Sequence, residues 1–209
     1  MNFSDFTSSL PIKNIYLDLH ETATAILDEK LHYFSQEQFS VDIYKLAAAY
    51  EIKVYDKDMA NMNLPENDFP VEMFGYLNTY YGQAIYLNRE TRNLTRRYTV
   101  AYHLAYYLLN NEDSRNYVHY LAPASFSVDF NEQLCHLLAS FLLMPIETVA
   151  KLMMSYKEKG IFPSQMNFNS WLDHLGNTMG ISAYYTAIAF NNVRTLHIFL
   201  KEQHAEFLK

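Results

Sequence analysis

The sequence predicts an α+β fold, with helices around a small antiparallel sheet. Several long stretches carry apolar residues at helical spacing. Two short apolar runs flank a glycine-containing turn, the signature of a strand pair. Half of the 209 residues are hydrophobic and 19% are charged, enough to build a substantial core.

In chain order, Ile15, Leu19, Ala23, Ile26, Leu27, Leu31 and Phe34 define a long amphipathic helix from Ile15 to Phe34. Ser40 is the expected cap of a second helix through Leu46 to Tyr50, with Asp42 favouring its start. Ile52 to Tyr55 alternates as a strand, and 61–70 is a polar loop rich in Asn and Pro. Phe74 to Asn78 and Ala84 to Asn88 form a strand pair, with Tyr81-Gly82-Gln83 closing a hairpin.

Arg92 to Leu109 and Asp129 to Leu143 are helices, the second ended by Pro145. Asn169 to Gly180 and Ser182 to Leu200 are two more, joined at Gly180-Ile181-Ser182 with Ser182 as N-cap. The expected division is an N-terminal helical segment (1–40), a central domain (41–150) and a C-terminal helical segment (151–209).

Composition narrows the function classes. The net charge of -7 argues against a broad phosphate-neutralising surface, so nucleic acid is not the expected partner. The basic cluster Arg92, Arg96 and Arg97 is expected to be a solvated helix start. With 18 Tyr and 14 Phe, the chain is rich in rings that suit either partner recognition or a Tyr-rich core.

The single cysteine, Cys135, forms no internal disulfide, which fits a reducing compartment. Met1 to Pro11 lacks the pattern of a signal peptide, and no apolar run reaches the ~18 to 20 residues of a bilayer span. A cytoplasmic protein with no membrane association is expected.

The stretch that says most about chemistry is Tyr102-His103-Leu104-Ala105-Tyr106. Positions i and i+4 of a helix share one face, and in a zinc protease that spacing aims two imidazoles at one metal. Arg97 to Leu109 resembles the motif R-F-T-L-A-H-E-L-G-H-x-L-L of the ImmA/IrrE family of metallopeptidases. Gly75-Tyr76-Leu77 with Ala84 to Asn88 resembles the strand pair that precedes the family's helix. Glu132 to Pro145 resembles its E-x-x-A-N-x-F-A-x-x-L-L-M-P block, with Leu143-Met144-Pro145 verbatim. Val41 to Val54 and Leu172 to Val193 resemble its first segment and its C-terminal helical pair. The resemblance runs from about residue 41 to 195 and implies a zincin-like metallopeptidase fold.

The departures fall on the chemistry. Tyr102 and Tyr106 stand where that family has its two histidine ligands, and His103 stands at its catalytic glutamate. The third ligand position matches Glu132 or Leu134, depending on one small gap, and His136 replaces an asparagine. A phenol, with a pKa near ~10, is a poor zinc ligand at neutral pH. A four-ligand zinc site contributes roughly 10 to 16 kcal/mol, so losing two ligands costs about 6 kcal/mol, roughly four decades of affinity.

The sequence therefore predicts a degenerate family member without metal, cofactor or catalytic residues. The former cleft would comprise Tyr102, His103, Tyr106, Glu132 and His136. A rebuilt metal site would have to draw on His103, Glu132, Cys135 and His136, whose spacing matches no known ligand frame. Adjacent Cys135 and His136 point in different directions on a helix, which disfavours a thiol dyad.

ImmA/IrrE proteins cut or inactivate helix-turn-helix repressors, often in phages, mobile elements or stress circuits. The resemblance thus implies a protein partner, a helix-turn-helix repressor, bound by an antirepressor or regulator. Two alternatives are an altered but active peptidase and a DNA-binding regulator using the C-terminal helices. Against the latter, Ser182 to Leu200 is poor in Arg and Lys at its start.

Overall fold

The structure, a computed structural model, describes residues 12–59, 74–78, 82–110, 128–160 and 167–207. It is α+β, with seven described α-helices and a three-stranded sheet. The polar stretch 61–70, Tyr81 of the hairpin, and Met1 to Pro11 lie outside the described residues.

Helix α1 (Ile12–Leu31) buries Ile15, Leu19, Ala23, Ile26, Leu27 and Leu31. It stops before Phe34, because His32 turns left-handed at φ 48 and a 3-10 turn follows over Tyr33–Ser35. The Gln36 side chain donates to Leu31 O at 2.8 Å and caps the end. Helix α2 (Ile43–Ala49) is capped by Asp42 rather than Ser40, and the Asp42 carboxylate accepts the Lys45 N–H at 3.0 Å. Ser40 is drawn away, its hydroxyl donating to Met179 O at 3.1 Å.

Strands β1 (Lys53–Lys57), β2 (Gly75–Asn78) and β3 (Ala84–Asn88) lie in the order β1-β3-β2. β2 and β3 pair antiparallel, Tyr76 opposite Tyr86, as the hairpin reading expects. The sheet is nevertheless mixed, not antiparallel, because β1 runs parallel to β3. Alternation marks a strand but not its partner, and only β2 and β3 have the short link that dictates direction.

The inner sheet face carries Ile85, Leu87 and Leu77 on the strands that pack against helix α3 (Asn93–Asn110), and Val54 on β1, which packs against α2. Gly75 lets the two elements approach. A Cβ there would meet Tyr86 O at 2.6 Å and Thr99 Cγ2 at 3.0 Å. The outer face carries Tyr55, Tyr86 and Tyr76 in register.

Helix α4 (Val128–Leu143) packs along α3 more extensively than any other helix. Pro145 ends it, as expected, and also starts α5 (Ile146–Glu158), a helix that the sequence pattern did not suggest. Pro is well suited to a helix start, where its missing N–H has no intrahelical role. Helices α6 (Phe168–Met179) and α7 (Ala183–Phe207) follow, joined at Gly180 with φ 73. Asn167 caps α6, and Ser182 precedes α7, its carbonyl accepting the Thr186 N–H at 2.8 Å. One hydrophobic core runs from Ile15 to Leu196.

Of the basic cluster, Arg92 is exposed at the helix start as expected, but Arg96 and Arg97 are not solvated. Arg96 pairs with Asp56 of β1. Arg97 donates to Gly180 O at 2.8 Å, Ser40 Oγ at 2.9 Å and Val41 O at 2.5 Å. Burial lowers the Arg97 pKa, opposed by Tyr44 and Asp42. Arg97 thus ties the start of α3 to the α2 approach and to the α6–α7 turn.

No single described helix is long and apolar enough to cross a membrane. The last part of α4 and α5 reach that length only together, across a 48° bend.

Candidate functional site: a tyrosine–histidine cluster between three helices

Helix α3 places Tyr98, Tyr102 and Tyr106 on successive turns of one stripe. The stripe runs from a sealed interior to solvent. Tyr98 is fully buried, Tyr102 is 3% exposed and Tyr106 is 46% exposed.

Helix α4 brings His136 to the buried end of the stripe. Its Nδ1 shares a 3.0 Å hydrogen bond with the Tyr98 hydroxyl. Its ring lies 4.8 Å from that of Tyr102, tilted by 50°. From α7, Tyr185 stacks on Tyr98 at 4.0 Å with only 10° between the planes. One contact is stacked and the other tilted, and such aromatic pairs are worth about 0.5–1.5 kcal/mol each beyond area burial.

A polar chain continues behind this stack. One turn after His136, Ser140 Oγ donates to His136 O at 2.6 Å. It also accepts from Asn192 Nδ2 at 2.9 Å. Asn192 Oδ1 accepts the Tyr16 hydroxyl at 3.4 Å. The chain therefore links α3, α4, α7 and α1. Burial pushes the Tyr98 phenol far above its usual range, so it stays neutral.

The sequence-predicted cleft residues are only partly brought together. Tyr102 and His136 meet, and His103 lies edge-on to Tyr102 at 5.4 Å, 6% exposed. Tyr106 opens to solvent at the far end of the stripe, and Glu132 is exposed on α4. Of the two matches to the family's third-ligand position, Leu134 is buried and has no donor atom, while Glu132 is the exposed one. Cys135 is fully buried. His119, which the sequence places in a loop or at the surface, lies outside the described residues.

Among the described residues, no three His, Cys, Asp or Glu side chains come close enough to hold a metal ion. The groups that meet here are the phenols of Tyr98 and Tyr102 and the imidazole of His136, and one imidazole among phenols does not make up the ligand set of the zinc that the resemblance implies. Tyr98, Ser140, Tyr185 and Asn192 were not singled out by sequence reasoning. A signal for Tyr98 existed, since it stands one helical turn before Tyr102.

No protein-family model matches the chain, and no curated protein matches it significantly. The site must therefore be judged on its own chemistry. Its rings hold α3, α4 and α7 together and its polar chain adds α1, with the exposed Tyr106 at its margin.

Proposed function

We propose that this chain is a catalytically inactive, zincin-like metallopeptidase relative that acts by binding a protein partner. The partner class is a helix-turn-helix repressor, and the role is that of an antirepressor or regulator. The observation that carries the reading is the contact of Tyr102 with His136 at 4.8 Å. An aromatic ring fills the α3–α4 interface at the position where the resembling family presents its first histidine ligand. A phenol is a poor zinc ligand at neutral pH, so this position does not supply the Lewis acid that would activate water.

The experiment is elemental analysis of protein purified without chelators, beside the variant Tyr102→His/His103→Glu/Tyr106→His. Near-zero zinc in the natural chain is expected. Stoichiometric metal in it would overturn the reading and direct attention to His103, Glu132 and His136. Co-expression with helix-turn-helix repressors encoded nearby tests the partner. Failure of all of them to co-purify would remove the antirepressor role.

A further inference from the structure

Strand β1 forms one edge of the sheet and, among the described residues, has a neighbour on one side only. The Lys53 N–H donates to Gln83 O at 3.1 Å, and the Arg89 N–H donates to Lys57 O at 3.0 Å. A parallel ladder engages both backbone groups of alternate residues. Lys53, Tyr55 and Lys57 therefore face β3, and the N–H and C=O of Val54 and Asp56 face the open edge. Such a row is a template for another strand.

Two recesses flank this edge. On the inner side, about 560 Å³ lies between α2 and β1, walled by Tyr44, Ala48, Ile52 and Val54. On the outer side, about 460 Å³ lies over Lys53, Tyr55, Gln83 and Tyr86. A strand added to β1 sends alternate side chains into the two recesses. The inner recess takes apolar groups. The outer one offers the half-exposed Tyr55 ring beside exposed Lys53, with Lys57 further along the same face, over the Tyr76 and Tyr86 rings.

Lys57 is held there, donating to the Tyr76 hydroxyl at 2.7 Å. Glu51 closes one end of both recesses, so acidic groups are favoured opposite the lysines and not beside Glu51. The same lysines work against a second copy. Antiparallel pairing of two β1 strands about Tyr55 sets each Lys53 against the other's Lys57.

We propose that the β1 edge captures an extended acidic peptide by strand addition, with acidic and apolar residues alternating. Backbone hydrogen bonds to Val54 and Asp56 give affinity, and the two recesses give selectivity. The site is separate from the α3–α4 cluster and does not depend on whether that cluster binds metal.

The test is an NMR titration of the isotope-labelled chain with three synthetic peptides of about eight residues, the length of an ordinary strand. One alternates Glu and Val, one has the same composition in two blocks, and one alternates Lys and Val. The alternating Glu–Val peptide is expected to shift the Val54 and Asp56 amides and slow their exchange, while the other two leave them unmoved. Lys53→Glu should weaken the Glu–Val peptide about tenfold and admit the Lys–Val one. Ala48→Trp, on the exposed side of α2, should weaken it by filling the inner recess.

Three results would each overturn the proposal. They are no shift at millimolar peptide, equal binding of the block peptide, and concentration-dependent β1 pairing of the chain with itself instead of peptide binding. None of these changes the metal content, so the proposal and the pseudoenzyme reading fail separately.

Discussion

Two groups of tyrosines occupy opposite environments in this domain. Tyr98 and Tyr185 stack at 4.0 Å in the interior, with Tyr102 beside His136. Tyr55, Tyr86 and Tyr76 stack across the outer sheet face at 5.6 and 5.2 Å. Ring packing is similar in kind, but the hydroxyls meet different fates. An interior hydroxyl needs a protein partner, because desolvation without one costs about 1–3 kcal/mol. Tyr98 finds His136. On the sheet, Tyr55 and Tyr76 are 44% and 38% exposed; the Tyr76 hydroxyl accepts from the exposed Lys57 at 2.7 Å, and the Tyr55 ring opens to solvent. The buried group therefore constrains the fold, whereas the exposed ladder is free to serve recognition.

The largest expected effect separates the two groups directly. Tyr98→Ala removes a fully buried ring and should destabilise the domain by about 3–5 kcal/mol in urea unfolding. Tyr55→Ala, at the open end of the ladder, should cost no more than about 1 kcal/mol. Equal losses at the two positions would erase the distinction.

Next comes the backbone beneath the ladder. Gly75→Ala adds a Cβ 2.6 Å from Tyr86 O, a main-chain atom that cannot swing aside. A loss of about 1–3 kcal/mol is expected, from strain rather than from any missing contact. An unchanged urea midpoint would mean that β2 can shift from β3 and α3 more easily than this geometry allows.

Tyr98→Phe keeps the ring and deletes the hydroxyl, leaving His136 Nδ1 without it, at about 1–2 kcal/mol near neutrality. It also changes the alkaline limb. Burial raises the folded pKa of Tyr98 above its ordinary value of 10.0. The unfolded chain thus loses this proton first, and deprotonation favours unfolding. The stability from Tyr98 is complete below pH ~10 and declines as pH rises beyond it. Tyr98→Phe should show a shallower decline there. Tyr16 and Tyr33, also raised chiefly by burial, keep part of the slope. An unaltered slope in the variant would exclude Tyr98 as its source.

The same contrast explains what the sequence disclosed. Helical periodicity located α1, α3, α4, α6 and α7, because each buries one face against a common core. It failed where a residue has two competing uses. Ser40 is as good a cap as Asp42, yet its hydroxyl bonds Met179 and Arg97, both remote in sequence. Pro145 signals a helix end and conceals the start of α5. Arg96 and Arg97 look solvated until β1, α2 and Gly180 bring their acceptors. Within the site, Tyr102 and His136 stand on α3 and α4, two strongly periodic helices whose faces meet. Tyr185 and Asn192 arrive from α7, and no local pattern announces which face of that long helix meets α3 and α4. The direction of β1 was hidden for the same reason, since it depends on a partner that sequence alternation does not identify.

The smallest effect bears on the exposed ladder itself. Tyr76 and Tyr86 are direct cross-strand partners, their rings 5.2 Å apart and 20° from parallel. Lys57 lies over both rings, at 5.0 and 5.7 Å. A double-mutant cycle of Tyr76→Ala and Tyr86→Ala should give a coupling of about 0.5–1 kcal/mol, the range for exposed aromatic pairs. Repeating it with Lys57→Met should lower the coupling, because the cation is shared by the two faces and favours their alignment. A coupling of zero would mean that the rings stack without depending on one another. The ladder would then be three independent tyrosines on a scaffold set by the backbone, and Tyr55 would present its ring to a peptide without support from its neighbours.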